Sequence, residues 1–194
     1  MELSSAPTKT IAPALLPPCG VVAYYAGERR HEMPSRLTDV EIESLLREVK
    51  RLPDNYRSRV VLRNKRGHKE REFDIVGDEG HRFRLILRQS NTNVLDFSII
   101  LALIPLDSNQ HFRLRRYNGR SHEHSNVIEH QVFYAYHVHQ ATERYQDLGM
   151  REDSYAEPSD RYADYNSALR CMLEDCGFVA PPASGPVMFG EFGP

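Results

Sequence analysis

The sequence contains few cysteines, little net charge and no apolar run long enough to cross a membrane. Its three cysteines, Cys19, Cys171 and Cys176, form no CxxC pair, and their odd number argues against a disulfide framework. We therefore expect a reducing, cytoplasmic environment. The net charge of −2 gives no global attraction to nucleic acid or membranes, so such a partner would have to bind a local cluster. The longest apolar run, residues 94–104, is too short to span a bilayer, and we expect no membrane partner.

Two motifs that handle phosphates are also missing. No GxxxxGK[ST] string occurs, so the chain has no P-loop for a nucleotide. A two-histidine phosphoesterase needs HxT or HxS twice, but positions 124 and 139 hold histidine. These absences exclude both classes, and any chemistry has to come from other clusters.

The prolines concentrate at the two ends of the chain. Residues 1–34 hold five of the twelve, residues 181–194 hold four, and neither end has the periodicity of a strand or helix. We therefore predict a poorly ordered Pro-rich tail over 1–34, one domain over 35–179 and a disordered C-terminal tail over 180–194. We also expect translation to start at Met33, which the intact mass of the natively expressed protein would test.

The local patterns predict one α+β domain, an antiparallel sheet of about five to six strands flanked by an N-terminal helix and C-terminal helices. Thr38 and Glu41 form a capping box before an apolar helical stripe that Pro53 ends. Alternation of apolar and basic residues over 81–88 is typical of a half-buried strand. The other predicted elements are strands at 60–62, around Phe73 and Ile75, at 94–104 (central), 112–117 and 131–139, and helices at 142–148 and from Ser159 to Gly177.

Histidine clusters in the second half of the domain. Five of the nine histidines lie between residues 122 and 139, and four of them form two HxH pairs, His122/His124 and His137/His139. On a strand, residues i and i+2 point to the same face, so each pair presents two imidazoles together. The two segments can form a hairpin that places His122 opposite His139 and His124 opposite His137. Alternatively, strand 112–117 pairs with 131–139 and leaves 118–130 as a long loop of the kind that is often functional.

A first interpretation of this cluster is a metal-independent, RNA-cleaving nuclease that needs no cofactor. Histidine suits the acid and base roles because its pKa lies near neutrality, and arginine stabilises charge on the phosphate. The basic segments 57–71 and 82–88 are candidates for holding the RNA backbone. The candidate catalytic residues are His122, His124, His137, His139 and Arg116; the candidate substrate-binding residues are Arg115, Arg120, Arg144, Tyr145 and Tyr117.

Two other interpretations use the same residues. Neutral imidazoles are common ligands of zinc, nickel and iron, so His122, His124, His137 and His139 could hold a metal such as zinc, with Glu129 or Glu143 as a further ligand. The cluster could instead bind a phosphate, a nucleotide or a partner protein without chemistry. We interpret the histidines outside the cluster as ordinary surface residues: His31, His68, His81 and His111.

Several strings resemble a group of small uncharacterised prokaryotic proteins, a domain of unknown function with some members similar to toxins of toxin–antitoxin modules. The strings are FDI at 73–75, FRL at 83–85, LRRYNG at 114–119, HEH at 122–124 and HVHQATERYQ at 137–146. The resemblance implies a bacterial origin, an RNA-directed toxin and a cognate antitoxin-like protein as partner. It supplies no catalytic residues.

Overall fold

The structure is a computed structural model that describes residues 36–106 and 110–182. The predictions for the two tails, including Met33 and His31, fall outside these ranges, apart from residues 180–182.

The fold is α+β, as predicted, and its main sheet has seven strands, one more than the upper end of the prediction. The elements are α1 Asp39–Arg47, β1 Lys50–Arg51, α2 Tyr56–Arg59, β2 Arg63–Lys65, β3 His68–Val76, β4 Arg82–Ser90, β5 Phe97–Leu103, β6 Phe112–Asn118, β7 His124–Asn126, β8 Gln131–Phe133, β9 His137–Gln140, α3 Glu143–Asp147, β10 Tyr155–Pro158, α4 Tyr165–Asp175 and β11 Phe178–Val179. The strands of the main sheet run in the order β10-β9-β6-β5-β4-β3-β2, and every neighbouring pair is antiparallel. A short hairpin, β7–β8, and a parallel pair, β1–β11, lie outside this sheet.

One face of the sheet carries the apolar core. Phe83, Leu85 and Leu87 alternate along β4 and are fully buried, as the sequence pattern predicts. α4 packs on β5 and β6 over this face, and the buried face of α1 joins the same core. Burial of each such side chain contributes about 1.5–3 kcal/mol to folding, so this layer fixes which way every strand faces.

The opposite face of the sheet is polar and more open. On β3 and β4 it carries ion pairs, among them Arg84 Nε to Asp74 Oδ1 at 2.6 Å. The strand register then places Ser98, Asn118 and His137 side by side across β5, β6 and β9. The sheet therefore presents β9 histidines on the face that the core does not use.

The end of α1 depends on a lysine that the sequence patterns do not reveal. The Thr38–Glu41 capping box starts the helix as predicted. At its other end, the buried Lys50 ammonium donates to the backbone carbonyls of Leu45 at 2.8 Å and Leu46 at 3.2 Å. Because the last carbonyls of a helix have no partner within the helix, a cation at this position satisfies them.

Five local predictions differ from the structure. α1 ends at Arg47 and not at Pro53, because Lys50 and Arg51 pair with β11. Residues 60–62 form no strand, because the chain turns there after α2 and β2 begins at Arg63. The predicted strand 131–139 breaks into β8 and β9. The last helix begins after Asp164, whose side chain accepts from Ser167 N, and not at Ser159, whose N–H bonds to Tyr136 O. β10 was not predicted.

Candidate functional site

Three histidines converge on the open face of the sheet. His137 and His139 lie on β9 and are buried, and His124 on β7 is half-buried. One ring nitrogen of each lies within 4.8 Å of those of the other two. The predicted register, with His124 opposite His137 in one hairpin, is wrong, since His124 pairs with Phe133. The imidazoles meet instead because the β7–β8 hairpin lies over β9, and the second predicted pairing, β6 with β9, is the one found.

Backbone carbonyls fix the protonated nitrogen of both β9 histidines. His137 Nδ1 lies 2.7 Å from Ala135 O, and His139 Nδ1 lies 2.9 Å from Asp153 O. A carbonyl can only accept, so in the neutral ring each Nδ1 carries the hydrogen. The lone pairs are therefore on the two Nε2 atoms.

His124 is oriented in the same way by an asparagine. Its Nε2 lies 2.9 Å from Asn126 Oδ1, which also accepts from Ala156 N at 3.0 Å. The Asn126 Nδ2 donates to Ala156 O at 2.7 Å, so the amide can stand only one way round. His124 thus donates from Nε2, and its lone pair in the neutral ring is on Nδ1.

Asn118 is the polar group beneath the two β9 rings. It is almost fully buried, and its Nδ2 lies 3.4 Å from His137 Nε2 and 3.3 Å from His139 Nε2. Its Oδ1 accepts from Ser98 Oγ at 2.8 Å. A single amide nitrogen thus serves both Nε2 lone pairs, at distances beyond the usual 2.7–3.2 Å of an N–H hydrogen bond.

The surroundings keep the imidazoles uncharged. Burial lowers the pKa of His137 to about 4, and it lowers the pKa of His124 and, further still, that of His139. The nearby Arg116 guanidinium pushes all three pKa values in the same direction. At neutral pH the cluster therefore presents lone pairs and not positive charges.

Arg116, a candidate catalytic residue, is held by a buried carboxylate. Its Nε lies 3.0 Å from Asp153 Oδ2, and Arg151 Nη2 lies 2.9 Å from Asp153 Oδ1. Arg113 approaches the same carboxylate at 3.9 Å. Because the Asp153 carbonyl also holds His139, this aspartate connects the arginines to the histidine cluster.

The fourth predicted histidine, His122, lies at the rim. It is exposed, its ring meets that of His137 edge-on at a centroid distance of 5.3 Å, and its Nδ1 lies 3.3 Å from Ser121 Oγ. It does not belong to the group whose ring nitrogens lie within 4.8 Å of one another. Neighbouring Arg120 lies over the Tyr136 ring at 5.6 Å.

The other predicted residues lie away from the histidines. Arg115 and Tyr117 alternate with Arg116 and so occupy the core face, where the Tyr117 hydroxyl donates to Asp175 at 2.6 Å. Glu129, expected as a metal ligand, bonds instead to Arg144 at 2.6 Å and to the Tyr145 hydroxyl at 2.6 Å. These three residues fasten the loop of the β7–β8 hairpin. Glu143 begins α3, with its N–H bonded to Asp39 Oδ1.

A polar cleft of about 430 Å³ adjoins the cluster through Ser98. Arg66 and Arg88 line it, and neither forms an ion pair within residues 36–106 and 110–182. Asp96 also lines the cleft and accepts from Ser121 Oγ at 3.3 Å. Within the described residues, the cleft thus combines two guanidinium groups that form no ion pair with a direct hydrogen-bonded connection to Asn118.

A second group of potential ligands, Glu48, Glu79 and His81, lies near the end of α1. The buried Glu48 carboxylate accepts from Glu79 N at 2.9 Å and bonds to His81 Nδ1 at 2.7 Å. A Cβ at Gly77 would come within 2.0 Å of Glu48 Oε1, so glycine leaves the space this carboxylate fills. Its hydrogen bonds are satisfied, and we interpret it as a structural anchor of the β3–β4 turn.

Comparisons of the chain with protein-family models, with curated proteins and with solved structures gave no match. The resemblance to toxin-like prokaryotic proteins therefore stays a prediction. Within the described residues, no helix is both long and apolar enough to cross a membrane.

Proposed function

We propose that the chain binds one divalent transition-metal ion through His124, His137 and His139. The observation that carries the proposal is the hydrogen bonding behind the rings: one N–H of each imidazole donates to a fixed oxygen, and the other ring nitrogen keeps the lone pair. Histidine ligands of metals have this outer contact almost always, because it fixes both the tautomer and the ring orientation.

The ligand set favours a borderline metal, with zinc first. Three neutral imidazoles suit zinc, copper, nickel or iron, while calcium and magnesium prefer oxygen. Zinc is bound at about 2.0–2.1 Å from histidine nitrogen and accepts three histidines with a fourth, non-histidine ligand. Ring nitrogens that lie within 4.8 Å of one another have to approach to about 3.3 Å to share one ion at those distances.

Elemental analysis of the purified full-length chain and titration with Zn²⁺ test the proposal. We expect about one metal per chain and thermal stabilisation, since a ligand at 100 times its Kd adds about 2.7 kcal/mol to folding stability. His137→Ala and His139→Ala should remove both effects. His130→Asn is the matched control, because His130 lies on the same hairpin loop outside the cluster and has a positive φ of 53° that asparagine tolerates. Wild-type protein that takes up no zinc, copper, nickel or iron would contradict the proposal.

Binding of a phosphate-bearing ligand such as RNA is a second candidate function, favoured by the cleft beside the cluster. In the part of the chain that the structure describes, the two arginines that line it have no carboxylate partner, whereas Arg84 on the same sheet face pairs with Asp74. Exposed arginines that are not neutralised within the protein suit phosphate oxygens.

Binding of a labelled single-stranded RNA at two salt concentrations tests this candidate. The double variant R66A/R88A should weaken binding and flatten its salt dependence, and R82A, which removes an arginine facing Asp74, should change it little. Equal affinity of R66A/R88A and wild type would contradict a role for the cleft.

Cleavage of the same RNA separates the metal-bound site from metal-independent catalysis. Metal-independent acid–base chemistry by the histidines predicts activity that survives EDTA and is lost in H122A. Burial and neutral rings at His137 and His139 favour the metal site, which predicts that any cleavage stops with EDTA and returns with Zn²⁺.

A further inference from the structure

We infer that Asn118 Oδ1 is the fourth ligand of the metal, and that the Asn118 amide turns over by about half a turn when the metal binds. The inference rests on the metal site proposed above and names a ligand that no HxH pattern contains. It also assigns Ser98 as the residue that permits the turn.

The position of the amide matches one corner of a tetrahedral site. Tetrahedral zinc with bonds of about 2.0–2.1 Å has about 3.3 Å between neighbouring ligand atoms. The Asn118 amide nitrogen lies 3.3 Å from His139 Nε2 and 3.4 Å from His137 Nε2. The terminal amide atom thus already stands at the spacing of a ligand from two of the three histidine nitrogens.

The orientation of the amide is set by the two Nε2 lone pairs. Both Nε2 lone pairs need a donor, and the Asn118 NH₂ group is the one that the structure provides. A metal ion would take both lone pairs, and the NH₂ group would then face a cation. The oxygen and the NH₂ group of an amide have nearly the same size. Rotation about the last side-chain bond of Asn118 therefore replaces the NH₂ group with the carbonyl oxygen without moving the backbone.

Ser98 allows both orientations. In the structure its hydroxyl donates to Asn118 Oδ1 at 2.8 Å. After the turn, the Asn118 NH₂ group would point at Ser98, and the same hydroxyl can accept from it, because a serine hydroxyl is donor and acceptor. The strand register keeps Ser98, Asn118 and His137 in one row, so the partner stays in place whichever way the amide stands.

Metal titration of the full-length variants N118A and N118D tests whether Asn118 is a ligand. N118A removes the fourth ligand and should bind one Co²⁺ or Zn²⁺ per chain about 10–100-fold more weakly, the loss typical of a weakened metal shell. N118D keeps an oxygen at the same place and should bind at least as tightly as wild type. The visible Co²⁺ spectrum should change in N118A and remain tetrahedral in N118D. Thermal unfolding of each metal-free variant establishes that it is folded.

NMR of ¹⁵N-labelled wild-type protein tests the turn directly. In the metal-free protein, the Asn118 Nδ2 protons should give nuclear Overhauser effects to the His137 and His139 rings; after Zn²⁺ addition these should vanish and contacts to the Ser98 Cβ protons should appear. Unchanged contacts in the loaded protein, or an N118A affinity equal to wild type, would overturn the inference while leaving the three-histidine site intact. Wild-type protein that binds no metal overturns both.

Discussion

Asn126→Ala is expected to destabilise the protein and loosen the histidine cluster, although Asn126 is not itself a proposed ligand. Asn126 is fully buried on β7. Its amide donates to the carbonyl of Ala156 on the edge strand β10 and accepts from the N–H of the same residue, as a neighbouring strand would. The amide oxygen also orients His124. One side chain thus fastens the hairpin to the sheet and sets the His124 tautomer.

The size of the effect follows from the groups left without partners. The substitution strands the Ala156 N–H, the Ala156 carbonyl and the His124 Nε2–H. A buried polar group without a partner costs about 1–3 kcal/mol, so the two buried backbone groups of Ala156 cost about 2 kcal/mol at the lower bound, and the half-buried His124 Nε2–H adds less. Against the usual 5–15 kcal/mol of folding stability this loss is large, roughly a 30-fold change in the folding equilibrium.

Urea unfolding of the metal-free protein measures this loss. Asn64→Ala is the matched control, because Asn64 lies exposed on β2 and its side chain makes no hydrogen bond within the described residues. Asn126→Asp separates the contact with His124 from the contact with Ala156. It keeps an acceptor for His124 but turns an oxygen toward the Ala156 carbonyl, so it should destabilise the protein as well. A loss below about 1 kcal/mol in Asn126→Ala would refute the reasoning, because one unsatisfied group alone costs that much.

Four further substitutions test other parts of the fold by the same urea assay. Tyr162→Phe removes a buried hydroxyl that donates at 2.7 and 3.1 Å to carbonyls of the two strands behind the site, and should cost about 1–3 kcal/mol; no change would mean that water replaces it. Gly77→Ala should destabilise by displacing the Glu48 carboxylate, and His81→Ala alone should cost less. Arg84 lowers the pKa of Asp74 below its usual 3.8, so wild type should lose stability more steeply than Asp74→Asn as the pH falls through 3.8; parallel curves would contradict this.

Features that depend on neighbours along the chain could be predicted from the sequence. The alternation over residues 82–88 reports directly which face of β4 is buried, because the strand period is two. The Thr38–Glu41 capping box is a local hydrogen-bond pattern and is found as expected. The same period correctly places His137 and His139 on one face of a strand.

Features that depend on the pairing of strands far apart in the sequence could not be predicted from the sequence. Residues 134–136 interrupt the predicted strand 131–139. Within this break the Ala135 carbonyl accepts a hydrogen bond from His137 Nδ1. That break moves the pairing partner of His124 from His137 to Phe133. Asn118, Asn126 and Asp153 were missed for a related reason, since an asparagine or aspartate in a strand gives no signal until its cross-strand neighbours are known.

The hydrogen-bond balance of the cluster distinguishes a ligand site from an ordinary buried histidine network. A purely structural network satisfies both nitrogens of each ring, because an acceptor left without a good donor inside a protein costs about 1–3 kcal/mol. Here the Nδ1 side of both β9 rings is well satisfied, at 2.7 and 2.9 Å, while their two Nε2 lone pairs share one amide nitrogen at 3.3 and 3.4 Å. The long contacts of both rings are thus those to Asn118. A metal ion at about 2.0–2.1 Å would satisfy the two lone pairs more closely than the two N–H groups of Asn118, whose nitrogen lies 3.3 and 3.4 Å away.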